Sequence, residues 1–143
     1  MSPRRSGRTA ACDRADATVR FRHAESFLIV ADLVQAQVDD PLLALTSVAA
    51  SLAVLAGIAA ADAACCAALG RRARGQSHDD AIALVRTVEP DGEAMARDLG
   101  RLIALKDDAH YGVLVVSPER ARSAVSWARR LVAAAGEVVA TAA

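Results

Sequence analysis

Leu105–Gly112, LKDDAHYG, gathers the residues best equipped for chemistry in the 143-residue chain. It holds the single lysine, Lys106, and the single tyrosine, Tyr111, with His110 between them. Every other permanently cationic side chain is an arginine. Lys106 and His110 stand four apart, which on a helix places them on one face. That face continues the apolar stripe Met95, Leu99, Leu102 and Ile103, so both side chains must find partners or line a cleft or interface. Metal-free cleavage of RNA suits such a set. A base takes the 2′-hydroxyl proton, an acid protonates the leaving oxygen, and a cation steadies the phosphorane charge. His110 fits base or acid, and Lys106 the electrostatic group. One histidine cannot serve both proton transfers, which points to a second from a dimer mate across a two-fold axis. The competing reading is a snorkelling lysine beside a hydrogen-bonded interior histidine.

Other chemistry finds little support. The sequence has no phosphate-cradling glycine loop, no Cys/His metal spacing and no nucleophile elbow, so neither cofactor nor metal is expected. The paired carboxylates Asp39–Asp40, Asp79–Asp80 and Asp107–Asp108 are neighbours at helix ends or on polar faces, where caps and solvation explain them. Asp62 is a further candidate for the catalytic set; it lies on an apolar stripe among alanines and cysteines and requires a cationic partner if buried. Arg71, Arg72 and Arg74 form the densest positive patch of the ordered chain. They serve either to compensate a helix C-terminal dipole or to bind phosphate, as in RNA or a nucleotide. His78, in the first turn of a short helix, reads as solvated.

Five helices carry these groups, in an all-α antiparallel bundle. The first is expected from about Ala15 to Gln37. The second starts at Pro41, capped by Asp40, and ends at the C′ glycine Gly70. A Ser77/Asp80 capping box starts the third, His78–Val88. The turn Glu89–Gly92 precedes the fourth, Glu93 to about Tyr111. Ser117-Pro118 opens the fifth, which is expected to end near Ala135. Residues 1–14 read as a flexible basic arm, 15–135 as the bundle domain, and 136–143 as a frayed tail. Trp127 lies off the main stripe of the last helix and is expected to cover a groove or a partner surface.

Composition agrees with this class. Hydrophobic residues make up 54% and aromatics 3%, and alanine is about a quarter of the chain, so close approach of Ala-rich helices replaces packing by rings. The net charge is zero, which leaves no global field toward nucleic acid or membrane. Pro41 through Ala61 carries no charge and is long enough to span a bilayer. It lacks flanking aromatic or lysine anchors and keeps a heptad pattern, so a central bundle helix is preferred over a membrane span. Cys12, Cys65 and Cys66 form no spaced framework, and adjacent helical cysteines point about 100° apart, which disfavours bridging them. A reduced, cytoplasmic protein is the expectation.

The segments AACCAALGRRARGQSH (Ala63–His78) and LKDDAHYG, within this order of helices, resemble the HEPN superfamily, and small actinobacterial HEPN-like proteins in particular. The resemblance covers most of residues 15–135. It implies a helical bundle, commonly a homodimer, that acts as a metal-independent endoribonuclease in toxin–antitoxin or defence systems, with an antitoxin or nucleotidyltransferase as partner. The family motif is an arginine, usually a polar residue next, and a histidine after four to six intervening residues. His110 matches the histidine, Asp107 matches the polar position, and Tyr111 lies where related toxins carry a modifiable tyrosine. The basic position is held by Lys106, only three residues before His110. Arg101 cannot substitute, because nine helical residues turn it to the opposite face. Lysine lacks the planar fork that grips a phosphate. The alternative implied by the resemblance is therefore a non-catalytic interaction or nucleotide-binding module.

Overall fold

The computed structural model describes residues 8–37, 45–74, 78–110 and 116–142, with the backbone alone described for 107–110. Five helices and a two-stranded ribbon make up these residues: β1 Thr9–Ala11, α1 Arg14–Gln35, α2 Leu45–Leu69, β2 Arg71–Ala73, α3 His78–Arg86, α4 Gly92–His110 and α5 Pro118–Thr141. The chain is an all-α helical bundle, with β1 and β2 paired antiparallel at its edge.

Helix α2 is the centre of the bundle and packs against α1, α4, α5 and α3. By length and composition it is apolar enough to cross a membrane, yet 61% of its most apolar window is buried inside the bundle. Its alanines explain how. Ala49, Ala53, Ala56, Ala60 and Ala63 are fully buried, and so are Ala17, Ala24 and Ala31, spaced seven residues apart on α1. Small side chains on both helices let the backbones approach closely, so dispersion contacts accumulate without large rings. Larger side chains fill the other side of α2: Met95, Leu99 and Leu102 from α4 and Leu131 from α5. At Gly57 an added Cβ would lie 2.5 Å from Leu102 Cδ1, so α4 and α5 pack onto α2 at a glycine where a larger residue would require Leu102 to shift.

Local signals set several boundaries. Asp13 caps α1, its side chain accepting from the Asp16 backbone N–H at 2.8 Å while the Asp16 carboxylate accepts from the Asp13 N–H at 2.9 Å. Ser117 caps α5, accepting from Arg120 N–H at 3.1 Å, with Pro118 at the first helical position. Gly70 takes a φ of +70°, ending α2 as a C′ glycine whose N–H donates to Cys66 O at 3.1 Å. The expected caps at Asp40–Pro41 and Ser77 lie outside the described residues.

Three expectations from sequence need correction. The arm is not free along residues 8–13. Thr9–Ala11 pairs with Arg71–Ala73, Cys12 N–H donates to Gly70 O at 3.0 Å, and Cys12 is disulfide-bonded to Cys66, 54 residues away. The expectation of fully reduced cysteines accordingly fails. Cys65 alone is a free thiol, buried in α2. Helix α5 continues past Ala135 to Thr141, and Arg14 Nη2 donates to Ala142 O at 2.6 Å, joining the start of α1 to the end of α5. Gly136 does not stop the helix. Phe21 of α1 packs so close that a Cβ there would lie 2.9 Å from Phe21 Cζ, so the glycine serves contact between helices.

Candidate functional site

Helices α3 and α4 pack against each other and bring together two groups 28 residues apart. Lys106, in the last two turns of α4, places its Nζ 2.8 Å from Nε2 of His78, the first residue of α3. Both side chains are half-buried. A lysine ammonium has only donors, so this contact is one in which Lys106 donates and the ring nitrogen accepts. His78 is thus drawn into the Lys106 site, which corrects its reading as a solvated first-turn residue. The sequence hid this because the contact is tertiary, between a helix start and a helix end.

Of the stripe leading to Lys106, Met95, Leu99 and Leu102 are buried as expected, while Ile103 is half-buried; Leu105, outside that stripe, is buried as well. His110 ends α4 one turn beyond Lys106. The side chains of Asp107 and His110, and the whole of Tyr111, lie outside the described residues. Among the described residues, no group of three or more His, Cys, Asp or Glu is placed to hold a metal ion.

Asp62 finds its cation elsewhere. Arg20 Nη2 on α1 donates to its Oδ2 at 3.0 Å, with side-chain exposures of 31% for Arg20 and 12% for Asp62. The sequence pattern demanded a cationic partner without identifying it as Arg20. Burial pushes the Asp62 carboxyl above its ordinary value of 3.8, while Arg20 and then Arg72 pull it down. The neighbouring Cys65 thiol is pushed up to about 12, chiefly by burial and then by Asp62, which makes it an inert core thiol and not a nucleophile. With its carboxylate engaged by Arg20, Asp62 serves the α1–α2 contact.

This pair carries a signed prediction. A carboxyl raised in the folded state contributes stability below its unfolded value, and that stability is lost as pH rises through the folded value. At neutral pH Asp62 is a tolerated charge, and Arg20 makes it tolerable. Arg20→Ala is expected to cost about 2 kcal/mol at neutral pH, below the fully buried case because Arg20 is partly solvated. The cost shrinks in acid, where Asp62 takes up a proton. Asp62→Asn should stay within about 1 kcal/mol of wild type. Urea unfolding of the three proteins at neutral and acid pH checks this. An equal cost for both substitutions at neutral pH would contradict it.

The arginines do not form one cradle. Alternation along β2 separates Arg71 from Arg72. Arg71 lines a cavity of about 210 Å3 with Arg8, Thr9, Asp80 and Leu84, between the ribbon and α3. Arg72 lines a wider hollow of about 550 Å3 with Cys12, Asp16, Arg20 and Cys66. Arg74 closes the ribbon, its backbone N–H donating to Arg8 O at 2.8 Å. The dense patch read from sequence is therefore split between two sides of the ribbon.

Sequence reasoning missed a second polar cluster. Asp98, 6% exposed on α4, receives Arg130 Nη2 at 2.9 Å and Nε at 3.3 Å, while Arg101 Nη1 stands 3.7 Å away. The guanidinium of Arg101 also lies 5.8 Å from the Trp127 ring centroid, covering the aromatic face expected to meet a groove or partner. The bidentate Arg130 pair fastens α4 to α5, which fixes the helix bearing Lys106. An aspartate at an i, i+3 step from an arginine was the only available signal, and it is too common on solvated helices to single out Asp98. The sequence matches no protein-family model and no curated protein closely enough to assign it to a family.

Proposed function

We propose that the chain is a HEPN-like, metal-independent endoribonuclease of the toxin–antitoxin or defence type, centred on Lys106 and His110. The observation that carries this reading is the 2.8 Å contact between Lys106 and His78 at the end of α4 that terminates in His110. It sets a cation against an imidazole one helical turn of sequence before His110, and a cation with histidines is the set of group types that transesterification at a phosphodiester needs. Lys106 stabilises the phosphorane, His110 transfers a proton, and Asp107 and Tyr111 flank them in the motif.

Self-association accompanies this reading. Ile29 and Leu33 on α1 are 60% and 64% exposed, and Val48 and Leu55 on α2 are 44% and 39% exposed. The Arg20–Asp62 and Cys12–Cys66 links set α1 antiparallel to α2, so these residues share one end of the helix pair. An exposed apolar face of this kind suits a second copy or a protein partner such as an antitoxin or nucleotidyltransferase. The same face favours the second reading, a non-catalytic interaction or nucleotide-binding module.

The test is incubation of the purified protein with structured and single-stranded RNA in EDTA. The expected result is cleavage that leaves 2′,3′-cyclic phosphate and 5′-hydroxyl ends and that disappears in His110→Ala without loss of cooperative folding. Intact RNA with wild-type protein, together with a lowered melting temperature for His110→Ala, would make His110 structural and favour the binding module.

A further inference from the structure

We propose that the cavity between the β-ribbon and α3 binds a small phosphorylated sugar, with its phosphomonoester held between the guanidinium groups of Arg8 and Arg71. Neither Lys106 nor His78 lines this cavity, so the site stands whether or not the chain cleaves RNA.

Three segments build it. Arg8 and Thr9 come from the arm, Arg71 from β2, and Asp80, Leu84 and Thr87 from α3 and the residue just past its end. The fold fixes the arm in place. Arg74 N–H donates to Arg8 O at 2.8 Å, and the Cys12–Cys66 disulfide ties the chain down just after β1. Arg72 takes no part, because it lines the separate hollow that holds Arg20.

The charges point to the ligand. Among the described residues neither Arg8 nor Arg71 belongs to an ion pair, whereas Arg20, Arg129 and Arg130 are each joined to an aspartate. A phosphomonoester dianion between the two planar forks relieves their repulsion and accepts charge-assisted hydrogen bonds from both. Asp80 argues against a bare phosphate. Its carboxylate repels the dianion and needs a donor, so the bound molecule carries hydroxyl groups as well. Thr87 offers a second acceptor, since its Oγ1 already donates its proton to Leu84 O at 2.7 Å. Leu84 supplies an apolar wall for the C–H face of a sugar ring. The volume is about 210 Å3, short of the roughly 300 Å3 at which pockets for drug-sized ligands begin. That suits a pentose phosphate better than a nucleotide with its base.

Calorimetric titration of the whole chain with ribose 5-phosphate, inorganic phosphate and ribose tests the site, with thermal melts of every variant alongside. Ribose 5-phosphate should bind, inorganic phosphate about tenfold or more weakly, and ribose not measurably. Arg8→Gln and Arg71→Gln should each weaken ribose 5-phosphate on the order of tenfold to a hundredfold with the melt retained, the usual loss of a hydrogen bond to a charged group. Asp80→Asn should tighten inorganic phosphate and narrow its gap to the sugar phosphate. Arg72→Gln should leave binding as it is. No binding of ribose 5-phosphate up to about 10 mM overturns the proposal. So does equal binding of inorganic phosphate by wild type, or a loss in Arg72→Gln as large as in Arg71→Gln, which would reduce the effect to net charge. Competition with a short 2′-O-methyl RNA, which resists cleavage through the 2′-hydroxyl, identifies the source of the phosphate. Displacement by the 5′-phosphorylated form alone supports the site with an RNA end as its ligand, and displacement by neither form supports it with a free sugar phosphate. Equal displacement by the 5′-phosphorylated and 5′-hydroxyl forms would mean that internal phosphodiesters bind there, and the phosphomonoester assignment falls.

Discussion

Cys12→Ser is expected to lower stability by about 4 kcal/mol, the chain-entropy value for opening a closed loop of this length. The bridge spans 54 residues and joins β1 to the last turn of α2. Without it, the three-residue ribbon must hold residues 8–13 with its backbone hydrogen bonds and the Asp13 cap alone. Urea unfolding of wild type and Cys12→Ser measures the loss, and a reductant should bring wild type down to the variant. Alkylation gives an independent check. Denatured, unreduced protein should accept one label, at Cys65, and reduced protein three, since Cys65 is the one free cysteine. Three labels without reductant, or a loss below about 1 kcal/mol, would show that the arm is not tethered in this way. The result also bears on compartment, because such bridges persist in oxidising surroundings and open in reducing ones.

The bridge shows where sequence reading ran out. Cys65 and Cys66 are adjacent, and helical geometry rules out a bond between them. That argument holds, since Cys65 remains free. Cys66 pairs instead with a residue that local pattern places in a basic tail. Thr9–Ala11 and Arg71–Ala73 are three residues each, with no β-branched run or alternating hydrophobicity to mark a strand. What makes them a ribbon is the Gly70 turn, which carries the chain back along the end of α2 beside Cys12. The same limit applies to Lys106 and His78. The stripe leading to Lys106 follows from period alone, whereas its partner comes from the packing of α3 on α4.

Legible features were those with short-range causes. Ser117-Pro118 at the start of α5 and Gly70 at the end of α2 need only a few residues to be read. The end of α5 was misread for the opposite reason. Gly136 carries a local stop signal, but tertiary contact with Phe21 uses its missing side chain and carries the helix on to Thr141. Asp62 lies between these cases. Its position on a buried stripe demanded a cation, and Arg20 is that cation, yet the identity of the arginine depended on how α1 docks on α2.

On the proposed ribonuclease reading, Lys106→Ala is expected to lower RNA cleavage on the order of a hundredfold or more, the usual loss when one transition-state charge stabiliser is removed. The structure sharpens this beyond a generic cation. Lys106 Nζ lies 2.8 Å from His78 Nε2, so on that reading its removal takes away the proposed phosphate contact together with this contact to the histidine. Lys106→Met keeps most of the aliphatic stem and removes the charge alone, so it should lose as much as Lys106→Ala while folding as well as wild type. Lys106→Arg keeps the charge and supplies a planar fork suited to phosphate, and should stay within about tenfold of wild type or exceed it. Single-turnover cleavage with saturating RNA reads the chemical step, and filter binding of the same RNA reads affinity separately. A loss confined to binding, with the cleavage rate of bound RNA unchanged in Lys106→Met, would make Lys106 a docking residue and leave the transition-state role to another group. A loss in the cleavage step that Lys106→Arg restores would place the positive charge at the phosphorane.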